Sequence, residues 1–228
     1  CQKHGLLLIE DCAEAVGSLY YQKHVGNLAD ASTFSFFGNK TITTGEGGMA
    51  VFRNSEIAER ARILRDHGMS REKKYWHEIV GYNFRMTNIQ AAIGVAQMEQ
   101  YEKIINKKRE IAGFYQKYLT DVMSLILPTE LDWAINSYWL YSIIIRDCTS
   151  AQRDSIIEKL NLSGIDTRPV FYSLHTMPPY EKYHNSDDFS NSKMISSSGI
   201  SLPSSIDLDE EVVHRICSEV ISILKTLI

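Results

Sequence analysis

The sequence STFSFFGNKTITTGEGGMAVF, residues 32–52, begins and ends with apolar residues and holds a lysine between them. Phe34 and Phe36 alternate with a serine, as side chains on the two faces of a β-strand do, and residues 49–52 form a second apolar run. Lys40 lies between these two predicted strands. An ammonium group is costly to bury without a partner, and a lysine placed in this way often attacks a carbonyl. An ordinary lysine on a surface loop remains the alternative for this stretch alone.

The stretch upstream predicts another strand, which ends in acidic residues. Residues 5–9, GLLLI, form a continuous apolar run that is typical of a parallel strand buried on both faces. Glu10 and Asp11 follow it directly. Ligands of open α/β sheets bind beyond the carboxyl ends of the strands, so Asp11 is a candidate for chemistry. It could equally cap the following turn.

The composition is that of an ordinary soluble globular protein. Of 228 residues, 44% are hydrophobic and 23% are charged, and the formal net charge is −4, whereas a nucleic-acid-binding protein would present a basic face. No apolar run approaches the roughly 20 residues that span a bilayer, and the four cysteines are scattered, which predicts neither a metal site nor a disulfide framework. Without a signal peptide, the cytoplasm is the expected compartment. Because the chain begins at Cys1, almost directly with a core strand, we interpret it as a fragment that lacks its N-terminal part.

Strands and helices alternate over the whole chain, which predicts an α/β architecture. Thr87 and Gln90 have the spacing of a capping box, and helical character continues from about residue 87 to about residue 119. A helix of this length is longer than a compact domain needs, so we expect it to bend and to link two domains. We place the first domain at residues 1–105 and the second, an α+β unit, at residues 106–228.

Three segments closely resemble the sugar aminotransferases of the DegT/DnrJ/EryC1/StrS family. They are IEDCAEAVGS at residues 9–18, TFSFFGNKTITTGEGGMAVF at residues 33–52 and VGYNFRMTNIQAAIGVAQME at residues 80–99, in the order that the family has them. Segments of this length are far more specific than a short motif. The resemblance implies pyridoxal 5′-phosphate as the cofactor and the aspartate aminotransferase-like fold, fold type I. It further implies an incomplete large domain with a mainly parallel sheet, followed by a small C-terminal α+β domain.

The resemblance also implies a role for individual residues. Lys40 corresponds to the lysine that forms a Schiff base with the cofactor, Asp11 to the aspartate that faces the pyridine nitrogen, and Ser35 to a hydroxyl that binds the phosphate. Glu14 stands where many relatives have a glutamine near the phenolic oxygen of the ring. Asn83 corresponds to a residue that reaches the cofactor of the neighbouring subunit, which implies a homodimer with a shared active site. The family's N-terminal phosphate-binding turn and ring-stacking aromatic have no counterpart here, so we expect the fragment alone to be inactive.

Within the family, the second half of the chain is most similar to enzymes that transfer an amino group from glutamate to C4 of GDP-4-keto-6-deoxymannose, which yields perosamine for O-antigen or another surface polysaccharide. RPVFYSLHTMPPY, residues 168–180, carries this similarity. UDP- and dTDP-linked keto sugars, amination at C3, and a non-catalytic regulatory protein of the same fold remain alternatives. Lys40 argues against the family's dehydratases, in which histidine replaces the lysine. Arg168 and His175 are candidate substrate contacts, but an arginine paired with a nearby acid and a histidine packed between aromatics are equally compatible with the sequence.

Overall fold

A computed structural model describes residues 1–183 and 189–227, which form two compact units. The first unit comprises residues 1–105 and 131–139, and the second comprises residues 106–130 and those from 140 onwards. The chain therefore returns to the first unit after entering the second, whereas the sequence prediction divided it once, after residue 105. None of the helices in the described ranges is long and apolar enough to cross a membrane.

The elements of both units are short. In chain order the strands are β1 (Ile9–Asp11), β2 (Leu19–Tyr20), β3 (Lys23–His24), β4 (Ala31–Ser35), β5 (Gly48–Phe52), β6 (Leu125–Ile126), β7 (Ala134–Ile135), β8 (Tyr141–Ile145), β9 (Arg168–Pro169) and β10 (Gly199–Leu202). The α-helices are α1 (Ser55–Arg65), α2 (Asn88–Glu99), α3 (Tyr101–Leu119), α4 (Ser150–Leu162), α5 (Ser190–Ser198) and α6 (Glu210–Leu227). Single 3₁₀ turns occur at Gln2–His4, Leu174–Thr176 and Glu181–Tyr183.

The main sheet of the first unit has the strand order β1–β4–β5. β1 pairs in parallel with β4, whereas β5 runs antiparallel to β4 after the loop that carries Lys40. The sheet of this chain is therefore mixed, and the expected mainly parallel sheet does not describe these three strands. A second small sheet, β3–β2–β7, joins residues 131–139 to the same unit through antiparallel pairing.

The apolar run before Asp11 differs from its prediction. The strand begins only at Ile9, and side chains of the run stay exposed, Leu7 at 77% and Ile9 at 69%. The prediction of a strand buried on both faces is therefore wrong for this chain. β1 pairs with β4 on one edge only, and within the described residues no further strand of its sheet covers the other edge.

Local capping determines where the helices of the first unit begin. Asn54 caps α1 by accepting hydrogen bonds from the backbone N–H groups of the first turn, and Thr87 with Gln90 forms the expected capping box at α2. The single helix predicted over about residues 87–119 is two helices, because the chain leaves helical geometry at Gln100 (φ −106°, ψ 8°). α3 then continues to residue 119.

The second unit is built around an antiparallel sheet with the strand order β6–β8–β10–β9. Side chains of β8 alternate between buried and half-buried, and all four residues of β10 are buried. Tyr115 of α3 is fully buried and stacks on Tyr141 with ring centroids 4.7 Å apart. The apolar stripe of α6 completes the core with Val213, Ile216, Val220 and Leu224.

Candidate active site

Asp11 ends β1 and lies opposite Thr33 of the neighbouring parallel strand. Its Oδ1 accepts hydrogen bonds from Ala13 N, at 3.1 Å, and from Thr33 Oγ1, at 3.4 Å. The turn-capping contact that the sequence allowed is thus present. It occupies only Oδ1, and no described protein group donates to Oδ2. The exposed carboxylate can therefore cap the turn and still meet a ligand.

Glu10 points to the other face of the sheet and holds the loop that leads into β4. Its carboxylate accepts three backbone hydrogen bonds, from Gly26 N at 3.0 Å and from Leu28 N and Ala29 N at 2.9 Å. Burial alone would raise the pKa of this carboxyl group, but the three N–H donors outweigh burial and hold the pKa below its ordinary value. Glu10 therefore has a structural role: it fixes the loop before β4, the strand that pairs with β1 beside Asp11.

Cys12 follows Asp11 and has no nucleophilic character. Its side chain is 2% exposed, and its backbone N–H donates to Thr33 O at 2.8 Å. Burial raises the pKa of the thiol, and the neighbouring carboxylates of Glu10 and Asp11 raise it further. The thiol therefore stays protonated at neutral pH, and its contribution is to packing.

The loop from residue 36 to residue 47 holds Lys40 in place by backbone hydrogen bonds across its base. Phe36 N donates to Gly47 O, and Thr44 N donates to Phe36 O, each at 2.9 Å. Gly45 and Gly47 have φ values of 78° and 148°, where side chains are disfavoured. The glycines that follow Lys40 in the sequence thus allow the chain to turn back into β5.

The Lys40 side chain lies between an acid and an aromatic ring. Its Nζ donates a hydrogen bond to Glu14 Oε1 at 3.0 Å, and it lies 4.0 Å from the ring centroid of Trp139. The side chain of Lys40 is 11% exposed, against 49% for that of Glu14. Both neighbours stabilise an ammonium group that is largely withdrawn from water.

Ser35 ends β4 beside this loop. Its Oγ accepts a hydrogen bond from Phe37 N at 3.3 Å. Side chains two apart along a strand share a face, so Ser35 lies on the same face as Thr33 and Asp11. This face carries the three oxygen-bearing side chains at the carboxyl ends of the two parallel strands.

Asn83 lies in the segment between α1 and α2. It is exposed and forms an isolated antiparallel bridge with Asp66, at the end of α1. Asp66 also pairs with Arg85, at 3.2 Å. The role expected of Asn83 is toward a second copy of the chain, so the contacts within one chain leave it as a prediction.

Arg168 and His175 belong to the second unit. Arg168 Nη2 lies 3.8 Å from Asp166 Oδ2, with both side chains exposed, and the His175 ring stacks on Phe189 at a centroid distance of 4.4 Å. These are the contacts of the structural alternative that the sequence left open. A substrate role for either residue stays a prediction.

Trp139 is the residue of this site that sequence reasoning missed. Its Nε1–H donates to Asn39 O at 2.7 Å, across 100 residues of sequence. The sequence predicts a separate domain after residue 105, and no local signal places an indole beside Lys40. A lone tryptophan before an apolar strand is an ordinary core residue in any sequence.

The residues present fit pyridoxal 5′-phosphate. A sheltered amine at Lys40, a carboxylate at Asp11 with one oxygen that accepts no hydrogen bond from the described residues, and a hydroxyl at Ser35 are the groups that an aldehyde, a pyridine nitrogen and a phosphate require. All three belong to the first unit. No cluster of three or more metal-ligating side chains occurs in the described part of the chain.

Comparisons with known proteins show the family to which the chain is similar. The model of the DegT/DnrJ/EryC1/StrS aminotransferase family matches residues 1–221. The GDP-perosamine synthase of Vibrio cholerae is 45% identical over 218 residues, which are 96% of this chain and 59% of that protein. The GDP-perosamine synthase of Escherichia coli O157:H7 is 43% identical over 219 residues, 96% of this chain and 58% of that protein.

Solved structures show the same fold. Helicobacter pylori PseC, described as an aminotransferase involved in the biosynthesis of pseudoaminic acid, superposes with a TM-score of 0.92 at 30% identity, over 99% of this chain and 62% of that one. The matches confirm the resemblance and the fold class predicted from the sequence. The chain spans about three-fifths of the length of these relatives.

Proposed function

The chain belongs to the DegT/DnrJ/EryC1/StrS aminotransferase family, and on that basis we propose that the protein is a pyridoxal-phosphate-dependent aminotransferase of nucleotide-linked keto sugars. The observation that carries the proposal is the setting of Lys40, whose Nζ lies 3.0 Å from Glu14 Oε1 and whose side chain is 11% exposed. A sheltered amine beside a carboxylate is suited to bond an aldehyde and to move a proton.

Lys40, Asp11 and Ser35 would hold the cofactor, Lys40 through a covalent bond of its amine. Pyridoxal 5′-phosphate, when bound, would supply an aldehyde carbon that accepts the amino group and a ring that withdraws electrons from the reacting carbon. Asp11 would keep the pyridine nitrogen protonated through the charge of its carboxylate. Ser35 would donate its hydroxyl to the phosphate.

Proton transfer would fall to Lys40 once its amine is free. The Nζ atom would take the proton from the α-carbon of the amino donor and return it during the second half of the reaction. Glu14 would orient the amine through the 3.0 Å contact. A glutamine could donate a hydrogen bond to the phenolic oxygen of the ring, whereas the Glu14 carboxylate can only accept one. In a hydrogen bond between Glu14 and that oxygen, the proton would therefore have to come from the phenolic group.

The substrate we propose is GDP-4-keto-6-deoxymannose, with glutamate as the amino donor. The amino group of glutamate would replace the C4 carbonyl oxygen of the sugar, which would leave as water, while a water molecule would supply the carbonyl oxygen of 2-oxoglutarate. The two electrons that C4 gains are those that the α-carbon of glutamate loses, so atoms and electrons balance. Support comes from the two relatives named GDP-perosamine synthase, at 45% and 43% identity. The destination in O-antigen or another surface polysaccharide, and the cytoplasm as compartment, are part of the same proposal.

The assembly we propose is a homodimer in which Asn83 reaches the cofactor of the other subunit. Its exposure in a single chain is compatible with this role. Residues 1–105 would form the C-terminal part of the cofactor-binding large domain and residues 106–228 the small domain, with residues 131–139 returning to the former.

The experiment that tests the function is product analysis with the full-length protein. Glutamate and pyridoxal phosphate are incubated with a panel of GDP-, UDP- and dTDP-linked keto sugars, and the amino sugars are identified by mass spectrometry and NMR. We expect amination at C4 of the GDP-linked sugar. A product aminated at C3, or from another nucleotide, would reassign the substrate. No product from any sugar, with no spectral change on adding glutamate, would favour the regulatory alternative.

A further inference from the structure

We infer that Trp139 is a positioning residue for Lys40, which it holds by its indole N–H and by the face of its ring. The inference rests on the proposed function in one respect, namely that pyridoxal phosphate is the aldehyde that reacts with Lys40. Trp139 is not part of the sequence motif around Lys40, since 100 residues separate it from Asn39.

Two different parts of the indole contact two consecutive residues of the Lys40 loop. The Nε1–H group donates to the backbone oxygen of Asn39 at 2.7 Å, which fixes the main chain next to Lys40. The ring lies 4.0 Å from Lys40 Nζ, which restrains the end of the side chain. Trp139 itself is 8% exposed, so its own ring has little freedom to move.

The indole also complements Glu14. A lysine side chain is a flexible four-carbon stem, and the single contact with Glu14, itself 49% exposed, would leave it a wide range of positions. The aromatic face attracts the ammonium group without accepting a proton. Glu14 can therefore orient the amine by its hydrogen bond while the Trp139 ring limits how far the amine moves.

The segment that carries Trp139 is hydrogen-bonded to the loop that follows Glu14. Ser18, four residues after Glu14, contacts Ser137 through two hydrogen bonds, Oγ to Oγ at 3.1 Å and Ser137 N to Ser18 Oγ at 3.2 Å. Ser137 is 1% exposed. The loop that places the acid thus also fixes the segment that places the indole.

The test compares three variants of the full-length protein: Trp139→Leu, Trp139→Phe and Trp133→Phe. Trp133 is a matched control, because it lies in the same segment and stacks on Tyr21, whereas the ring that Lys40 contacts is that of Trp139. The cofactor is removed, pyridoxal phosphate is added back, and the rate of capture is followed by the visible absorbance of the lysine-bound cofactor. Borohydride reduction and peptide mass spectrometry then identify the lysine.

We expect Trp139→Leu to slow capture at Lys40 by at least about tenfold, because a misplaced reacting group loses much of its reactivity. Trp139→Phe, which keeps an aromatic face but loses the N–H donor, should lie between this variant and the wild type. In turnover, kcat should fall for both while the KM for the sugar changes less than about twofold, since the defect lies in the amine. Trp133→Phe should match the wild type in all three measurements.

Capture by folded Trp139→Leu at the wild-type rate would overturn the inference while leaving the proposed function intact. If Trp139→Leu fails to fold, Trp139→Phe decides, and a wild-type rate there overturns the role of the indole N–H and with it the inference. Failure of the wild type to capture the cofactor at Lys40 would overturn both the inference and the proposed function.

Discussion

At Lys40 the cost of sheltering an ammonium group is offset by two neighbours. An isolated buried charge is strongly disfavoured, but Glu14 accepts a hydrogen bond from Nζ at 3.0 Å and the Trp139 ring lies 4.0 Å away. Both contacts are made by side chains from outside the Lys40 loop. The chemistry proposed for Lys40 therefore depends on three separate segments of the first unit.

Replacement of Lys40 tests its role in isolation. Lys40→Ala in the full-length protein should abolish the visible band of the lysine-bound cofactor and lower turnover at least about 10²-fold, because the amine that moves the proton is gone. Absorbance spectra and initial rates measure the two effects. Lys103→Ala, at an exposed position of α3, is the control and should behave like the wild type. A Lys40→Ala protein with both the band and wild-type turnover would remove Lys40 from the mechanism.

Asp11→Asn separates the two roles of this side chain. Asparagine keeps an acceptor oxygen for Ala13 N and Thr33 Oγ1, so the turn should survive. The negative charge opposite the pyridine nitrogen is lost, and we expect weaker cofactor binding with kcat lowered at least about 10²-fold. Cofactor titration and steady-state kinetics measure both. Wild-type kinetics would mean that Asp11 only caps the turn.

At this scale the sequence predicts what is local. Each of the site residues predicted in the first unit is recognised from the short segment around it: Lys40 with its glycines, Asp11 and Ser35. The contact of Trp139 with Asn39 joins residues 100 positions apart, and nothing in the composition of either segment encodes it. The exposure of the run at residues 6–9 was also mispredicted, because burial of a strand depends on which elements cover it.

Helix starts were predictable and helix continuity was not. Thr87 forms its capping box with Gln90 because both partners lie within one turn. The break between α2 and α3 at Gln100 has no glycine or proline to announce it, since Gln100 is an ordinary helix former. The backbone N–H of Gln100 bonds to Gln97 O, three residues back, and α3 starts again from residue 101.

Glu10 is expected to stabilise the loop between β3 and β4. Glu10→Gln should lower the free energy of unfolding at pH 7 by about 1–2 kcal/mol, because the N–H groups of Gly26, Leu28 and Ala29 lose a charged acceptor. Urea unfolding of the full-length protein measures the loss, and Glu102→Gln, at an exposed position of α3, is the control.

The pH dependence of the Glu10 contribution has a definite sign. The folded state holds the pKa of Glu10 below its ordinary value of 4.5, so its stabilisation is fully present above pH 4.5. It is lost as the pH falls through the folded-state pKa. The difference between wild type and Glu10→Gln should therefore shrink in acid, and a difference that is unchanged at pH 3 would contradict the assignment.

Lys108 of α3 should show a pH dependence of the same sign, but in the alkaline range. Its Nζ donates to Ser204 O at 2.6 Å, and burial lowers the pKa of its amine from 10.5 to about 8. Between these values the unfolded state binds more protons than the folded state, so the stability that Lys108 contributes rises with pH. Relative to Lys108→Met, the wild type should gain on the order of 1 kcal/mol per pH unit from pH 8 to pH 10. Urea unfolding at both pH values measures the difference, and equal differences would contradict the burial of this amine.

The two units differ in how many of their apolar side chains are buried. The second unit has a continuous core in which Tyr115, Ile156 and Ile200 are completely buried. Both units leave large apolar side chains exposed, such as Leu7 at 77% in the first and Leu162 at 83% in the second, but most of the buried hydrophobic residues in the described ranges belong to the second. Because the relatives are longer than this chain, each of the variants above should be tested in the full-length protein.

The oligomeric state can be tested at the same level. The proposed homodimer predicts a dimeric mass for the full-length protein in analytical ultracentrifugation. It also predicts that Asn83→Ala lowers cofactor affinity without lowering the amount of dimer. A monomer with full activity would contradict the shared active site.

The assignment of Lys40 as the residue that binds the cofactor covalently is tested most directly by locating the site of attachment. The full-length protein is loaded with pyridoxal phosphate, reduced with borohydride, digested and analysed by peptide mass spectrometry. We expect a pyridoxyl group on Lys40, with less labelling when glutamate is added before reduction. A label on another lysine, or no label on any peptide of the loaded protein, would contradict it.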